Sequence, residues 1–382
     1  MREVATIAEG LFTYQFGGAE RIAVDLAVEF RRRGYRVVCF AFHDSDGPMR
    51  RQLDESGIRC LDMSYANFKG VFRRLSYLWS FWRMLRRERI RALHVHHTAA
   101  LILSGIPAWL ARVPKVLMTE HALQWRDRPR VSGPARFYCR YAHEITVVEP
   151  GQIDYFRTEL GVPADRLHCV VNGVRVPART AQRTAQVRKE LGISAEVFAF
   201  FFVGRLEPVK DLGTLLEAFA ALPPEVAAHA RLYLVGEGAE RAPLEARRDA
   251  LRLADRVVFL GARSNAAELL MAADAFVMSS TSEGLPMVLL EAMAAGVPCV
   301  ATAVGGIPQL LADERGLLVP AQNAGRLAAA MASIVGSPGL RARLAANALQ
   351  NVRQNYALEA IADRYLELLG LPPTAVAGGS AR

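Results

Sequence analysis

Short apolar runs alternate with amphipathic, helix-length segments along almost the whole chain, in two successive series. Short runs rich in Val, Ile, Phe and Leu, separated by stretches long enough for a helix, are the pattern of parallel strands joined by crossovers. The first series reads as strands over 4–8, 36–42, 58–61, 92–96, 115–119, 144–148 and 167–171. The second reads as strands over 198–204, 231–236, 256–261, 275–278, 298–302 and 316–319. Between them, 176–196 is rich in Arg, Thr and Gln and poor in large apolar residues, and reads as a linker. With 382 residues and 52% hydrophobic content, the chain can bury two cores of ordinary domain size. A last helix is expected over 358–369. The Pro/Ala/Gly/Ser stretch 372–382 reads as a disordered tail.

The composition narrows the class. No uncharged apolar run reaches about 18 residues, so no spanning helix is expected. The N-terminus enters a strand directly and reads as lacking a secretory leader. Five cysteines (Cys39, Cys60, Cys139, Cys169, Cys299) are odd in number and scattered, with no Cys-x-x-Cys. They read as reduced thiols of a cytosolic protein. Charge is uneven. Residues 1–180 hold 28 Lys and Arg against 18 Asp and Glu, a net of +10, whereas the remainder is close to neutral. A basic half suits an anionic surface or acceptor. Nothing resembles a nucleic-acid-binding motif, and no nucleic acid is expected.

The stretch 279–302, SSTSEGLPMVLLEAMAAGVPCVAT, carries the most chemistry. Pro286 suits the first position of a helix over 287–295, where its missing N–H costs nothing. Gly296 and Pro298 stop it. The helix is apolar except for Glu291 and is expected to be buried all round. A carboxylate there needs hydrogen-bond donors, and two vicinal ribose hydroxyls would serve. Glu283 precedes the helix N-terminus, where free N–H groups and the dipole favour an anion. Carboxylates for hydroxyls and backbone N–H groups for phosphate oxygens together suit a phosphorylated sugar.

The Glu-x7-Glu spacing of Glu283 and Glu291, with Ser-Glu-Gly-Leu-Pro before it and Glu-Ala-Met-Ala-Ala-Gly-Val-Pro after it, resembles the signature of the retaining glycosyltransferases called group 1 or family 4. The resemblance implies an α/β chain of GT-B type, with two facing Rossmann-like doubly wound parallel-sheet domains and an interdomain cleft. Its expected parts are an acceptor-side domain over 1–178, a nucleotide-sugar-binding domain over 179–357, and a final helix over 358–371 returning to the first domain. The resemblance further implies that Glu283 orients the donor sugar and that Glu291 holds the ribose. The backbone of Gly284, Leu285, Pro286, Met287 and Val288 would bind sugar and phosphate.

Other segments extend the pattern. FFVGRLEPVKD, 201–211, follows the first strand of the second series. Gly204 allows close approach of a ligand, and Arg205 and Lys210 flank one turn, where two cations suit a departing diphosphate. The family resemblance assigns them that role. Gly17 and Gly18 in FGGAER, 16–21, precede a helix running to Arg33 and resemble the family's first loop, whose glycine backbone touches the donor. His121, after a strand ending Met118-Thr119-Glu120, matches the family's active-site histidine. LHVHH, 93–97, places His94 and His96 on one strand face. No Cys or carboxylate nearby in the sequence completes a zinc set, so neither a metal nor another cofactor is expected. Asp44-Ser45-Asp46 has a metal-site spacing but sits in a Gly/Pro turn, where acidic residues serve local hydrogen bonds. The segment from Arg73 to Arg91 mixes arginines with Leu78, Trp79, Phe81, Trp82 and Leu85. It reads as a helix in an anionic membrane interface, the alternative being a scaffold helix whose apolar face packs on the sheet and whose arginines are solvated.

The chain departs from the family pattern at Glu149 (usually Ser), Arg175 (commonly acidic) and Gln309 (usually Glu). These departures bear on acceptor choice rather than on the donor ligands. The expected function is transfer of a sugar from a nucleotide-diphosphate-sugar to a hydroxyl acceptor, lipid-linked or a polysaccharide precursor, at the inner face of the cell membrane. The alternatives are a nucleotide-sugar epimerase or phosphorylase on the same fold, or a non-catalytic subunit of a polysaccharide-assembly complex.

Overall fold

The computed structural model describes residues 4–15, 17–44, 46–65, 72–121, 129–263 and 265–371. Phe16, Ser45 and the tail 372–382, to which readings above refer, lie outside these residues. The chain divides into two compact units, Met1–Gly173 with Leu358–Arg382, and Val174–Ala357.

The first unit is a seven-stranded parallel sheet of β1 (Thr6–Leu11), β2 (Arg36–Ala41), β3 (Arg59–Asp62), β4 (Ile90–His96), β5 (Lys115–Glu120), β6 (Glu144–Val147) and β7 (Leu167–Cys169). Its order is β3-β2-β1-β4-β5-β6-β7. Strand alternation sends Ala8, Leu93, Val95, Val116, Met118, Ile145 and Val147 into a core shared with Tyr77, Phe81 and Leu85. Helices α2 (Arg73–Arg87), α3 (Thr98–Leu110) and α4 (Pro129–Tyr138) cover that face together with the helix Gly151–Thr158, whose Phe156 joins the core. On the other face, α1 (Gly18–Arg32) packs on β1 and β2, and the last helix, α7 (Leu358–Leu368), packs on α1. Arg33, nearly buried, fastens them. It donates to Glu29 at 2.9 Å, to the Glu359 carbonyl at 2.6 Å and to Asp363.

The second unit is a six-stranded parallel sheet of β8 (Phe198–Val203), β9 (Ala230–Val235), β10 (Val257–Gly261), β11 (Ala275–Met278), β12 (Cys299–Thr302) and β13 (Leu317–Val319). Its order is β10-β9-β8-β11-β12-β13. The expected linker is not bare chain. Helix α5 (Ala181–Glu190) occupies its middle, capped by the Thr180 side chain, and belongs to this unit. Arginines rather than apolar side chains dock it: Arg188 donates to Asp274 at 2.9 Å and to the Ser194 and Val197 carbonyls at 2.7 Å. That is why the segment looks unstructured by hydrophobicity. Helix α6 (Met287–Ala294) follows β11.

All five cysteines are free, and three are buried. No helix among the described residues is long and apolar enough to cross a membrane.

Candidate active site

In each sheet the strand order reverses beside the first strand, and crevices outside the carboxyl ends of strands at such points are where open α/β sheets bind ligands. In the second unit the reversal lies between β8 and β11. The loops leaving these two strands carry the charged residues expected from the sequence. Lys210 Nζ lies 2.7 Å from Glu283 Oε1, and Ser280 Oγ donates to the same oxygen at 2.6 Å. The loops are tied along their backbones. Ser279 Oγ donates to the Lys210 carbonyl at 2.8 Å, and Thr281 N–H donates to the Val209 carbonyl at 2.9 Å. The pair is largely enclosed, with side-chain exposures of 17% for Lys210 and 10% for Glu283. Its mutual attraction is therefore screened less than that of a surface pair. Arg205 is not brought to this pair. It is 73% exposed and bonds Glu207.

Two glycines shape the site. Gly305 has φ +54, and a Cβ there would stand 1.7 Å from the Glu283 carbonyl oxygen. The 305–306 turn can therefore lie directly on Glu283 and Gly284, where Gly306 N–H donates to the Gly284 carbonyl at 3.0 Å. A Cβ on Gly236 would stand 1.8 Å from the Gly204 carbonyl oxygen. Sequence reasoning assigned no site role to Ser280, Gly236 or Gly305. The Gly-Glu-Gly after β9 and the Gly-Gly after β12 were the available signals.

Helix α6 corrects two expectations. Pro286 is its N-cap, extended at φ −73 and ψ 111, rather than its first helical residue, and no side chain caps the helix. Nor is the helix buried all round. Leu289, Leu290, Ala292 and Met293 face the core, while Met287, Val288 and Glu291 are half-buried. Met287 and Glu291 are four residues apart and so share one face. The half-buried side of the helix therefore carries Met287 in its first turn and Glu291 one turn on. Glu283 stands in the loop just before that terminus, with Gly284 exposed and Leu285 half-buried beside it.

The first unit concentrates polar groups inside. At its reversal, between β1 and β4, Glu9 pairs in register with His94. Glu9, His94, His96, Thr119 and Thr146 occupy the strand face opposite the aliphatic core, all at 1% exposure or less. His94 Nδ1 lies 2.8 Å from Glu9 Oε1, and His94 Nε2 lies 2.7 Å from Thr119 Oγ1. His96 Nε2 lies 3.5 Å from Glu9 Oε1, and His96 Nδ1 lies 2.9 Å from His121 Nε2. Burial pushes the Glu9 carboxyl up to about 7 and the His94 and His96 rings down to about 3 and about 4. Burial, reinforced by the neighbouring histidines, holds His121 well below the usual imidazole range. The carboxylate not found near the histidines in sequence thus comes from β1. Glu9, His94 and His96 have ligand atoms within 4.8 Å of one another, a donor set that could hold a metal ion.

Around this cluster, Glu120 accepts from Thr98 N–H at 3.0 Å and Thr98 Oγ1 at 2.8 Å, capping α3, and lies 3.2 Å from His97 Nδ1. Gly17 is the extended N-cap of α1, and the Glu20 carboxylate folds back over it. Gly18 is exposed. Arg21 bonds Asp25 at 2.9 Å. Asp46 accepts from Gly47 N–H at 2.8 Å, a local turn bond of the kind expected, whereas Asp44 accepts from Thr13 Oγ1 in the loop after β1, a long-range bond that the turn reading did not foresee.

The basic segment is helical only to Arg87; Ile90 and Arg91 belong to β4. Phe81 and Leu85 are core residues. Phe72, Leu75 and Trp79 are exposed instead, as are Trp109, Leu110 and Phe137 from α3 and α4. The stretches 72–87, 98–115 and 129–143 contain no Asp or Glu. Arg83 lies 5.3 Å over the Trp79 ring. A cavity of about 390 Å³ beside Trp109 is lined by Arg112, Arg140, Tyr141 and His143.

Comparison with known proteins identifies the family and the fold. Residues 184–351 match the family Glycosyl transferases group 1, and residues 16–176 match Glycosyltransferase Family 4. The chain is 32% identical to the lipopolysaccharide core biosynthesis glycosyltransferase LpsD of Rhizobium meliloti (strain 1021), over 92% of this chain and 94% of that protein. It is 35% identical to a D-inositol 3-phosphate glycosyltransferase of Actinosynnema mirum, over 88% of each. The crystal structure of Anabaena HepE in complex with UDP-glucose has the same fold, with a TM-score of 0.79 at 22% identity, covering 96% of this chain and 99% of that one. The chain therefore belongs to the group 1, family 4 glycosyltransferases and has the GT-B fold. It is a glycosyltransferase.

Proposed function

We propose that this enzyme transfers a sugar from a nucleotide-diphosphate-sugar to a hydroxyl of a lipid-linked or polysaccharide precursor, with retention at the anomeric carbon. One observation carries the reading: Lys210 and Glu283 meet at the second sheet's reversal, directly before a helix without a side-chain cap that carries the half-buried Glu291. Lys210, with Arg205 swung from Glu207, neutralises the diphosphate as its bond to the anomeric carbon breaks. Glu283 orients sugar hydroxyls, Glu291 holds the ribose, and the backbone of Gly204 and of Gly284 to Val288 cradles phosphate and sugar. The acceptor oxygen bonds the anomeric carbon on the face the diphosphate leaves, and its proton passes to the departing phosphate oxygen. Gly17 and Gly18 touch the donor through their backbone, and His121 positions the transferring sugar. No metal enters this scheme, because Lys, Arg and the helix N-terminus supply the positive field.

A UDP-sugar is the first donor to try, in view of the UDP-glucose bound by HepE. A cell-surface or exopolysaccharide acceptor is supported by LpsD and by the outer face of helices α2 to α4 in the first unit. That face joins exposed Phe72, Leu75, Trp79, Trp109 and Leu110 to arginines, without a carboxylate in the stretches that build it. It suits peripheral docking on the anionic cytoplasmic leaflet, with lipid phosphates at Arg112 and Arg140.

The test is product analysis with UDP-sugars and membrane-extracted acceptors. Acceptor-dependent release of UDP with an α-linked product from an α-linked donor supports the reading. Inversion, donor turnover without acceptor, or an absolute need for inorganic phosphate would refute it.

A further inference from the structure

The buried polar row of the first unit has a direction, set by where each proton must go. Thr146 Oγ1 donates to the Met118 carbonyl at 3.4 Å, so at its 2.6 Å contact with Thr119 it accepts. Thr119 then has no proton left for His94, and it accepts from His94 Nε2–H. A neutral His94 with its proton on Nε2 presents a bare Nδ1 to Glu9. A bare nitrogen 2.8 Å from a carboxyl oxygen requires a proton between them, and that proton belongs to Glu9 as a neutral acid. Glu9 Oε2 has no hydrogen-bond partner among the described residues. That vacancy is tolerable for the carbonyl oxygen of an acid and costly for a buried carboxylate.

The direction continues toward His121. Glu9 Oε1 spends its proton on His94, so it faces His96 Nε2 as an acceptor and His96 keeps its proton there. His96 Nδ1 is then bare and accepts from His121 Nε2–H at 2.9 Å. The remaining ring nitrogen, His121 Nδ1, is buried and has no hydrogen-bond partner among the described residues. We propose that Glu9, acting through His96, locks His121 with its proton on Nε2 and a bare Nδ1, so that His121 accepts a hydrogen bond from a hydroxyl of the bound sugar. Glu9 is a positioning residue, since it touches His94 and His96 and not the sugar. The inference rests on the proposed contact between His121 and the transferring sugar.

Glu9→Gln tests it. A single oxygen of Glu9 serves both histidines, and an amide nitrogen in that place can only donate to both. His96 Nε2 must then accept, His96 Nδ1 must donate, and His121 ends with its proton on Nδ1. Long-range ¹⁵N–¹H correlation spectra of the full-length protein read these tautomers without any assay of transfer. The expected result is a bare His121 Nδ1 in the natural protein and a protonated one in Glu9→Gln. In transfer assays kcat should fall about tenfold, with affinity for the nucleoside diphosphate unchanged. A protonated His121 Nδ1 in the natural protein overturns the proposal, whether or not the variant folds. So does the same His121 tautomer in both proteins, or one equivalent of zinc bound to Glu9, His94 and His96 in the purified enzyme. An enzyme that fails to transfer sugar yet shows the expected tautomers would instead defeat the functional reading.

Discussion

The two sheets are wired alike, with order reversing beside the first strand of each, yet the reversals hold opposite chemistry. In the second unit, loops beyond the strand ends carry a Lys–Glu pair, and a half-buried Glu291 follows within helix α6. In the first unit, the strands themselves carry Glu9, His94 and His96, sealed from solvent under α1 and α7, with the Tyr365 ring 5.0 Å from that of His94. The loop pair keeps opposite charges that compensate each other at 2.7 Å. The groups inside the first sheet are buried, and burial penalises their charged forms. Topology thus locates both sites but dictates the chemistry of neither.

Lys210→Ala should separate the two most sharply. Losing a cation that stabilises a leaving group costs roughly 10²–10³ in kcat. The nitrogen tautomers of the first unit should not change, and kinetics with one tautomer measurement check both. Next, Glu291→Ala should weaken binding of the nucleotide-sugar roughly tenfold by titration calorimetry, as expected for loss of hydrogen bonds to a charged group. Unchanged affinity would remove the ribose role. A smaller effect concerns the outer face of the first unit. Replacing Phe72, Leu75 and Trp79 together by Ser should lower sedimentation with anionic vesicles several-fold, with thermal stability nearly unchanged because all three are exposed.

The smallest effect reads the buried row through pH. Glu9 sits near 7 in the folded protein against an ordinary 4.5, so between these values the folded state keeps a proton the unfolded chain has lost. Its contribution to stability falls as pH rises through that window. His94 and His96, depressed from 6.5 to about 3 and about 4, act oppositely, and their contribution rises with pH up to about 6.5. Glu9→Gln removes only the falling part. Its melting temperature should therefore climb more steeply from pH 5 to pH 7 than that of the natural protein, as calorimetry can check.

Much of this was legible in the sequence. The thirteen strands among the described residues overlap the apolar runs, most plainly in the central strands, which are buried on both faces and leave an uninterrupted signature. Lys210 and Glu283 were legible as motifs, although their contact across 73 residues was not. Glu9 was missed for a physical reason. A charge followed by Gly10 reads as a strand end, yet β1 continues to Leu11, because the parallel neighbours β2 and β4 enclose it and His94 neutralises the cost of Glu9. Phe81 and Leu85 were read with the exposed side of the basic helix because composition does not say which stripe faces the sheet. Helix α5 was invisible to hydrophobicity because arginine-to-carbonyl bonds dock it.

The most direct test of the account is a thermal-shift panel of nucleoside diphosphates and nucleotide-sugars, run with and without EDTA on the natural protein and on Glu291→Ala. A ligand that binds only the folded state raises its melting temperature by mass action. The account predicts a rise selective for one base that survives EDTA and shrinks in Glu291→Ala. No rise with any nucleotide, or a rise abolished by EDTA, would contradict it.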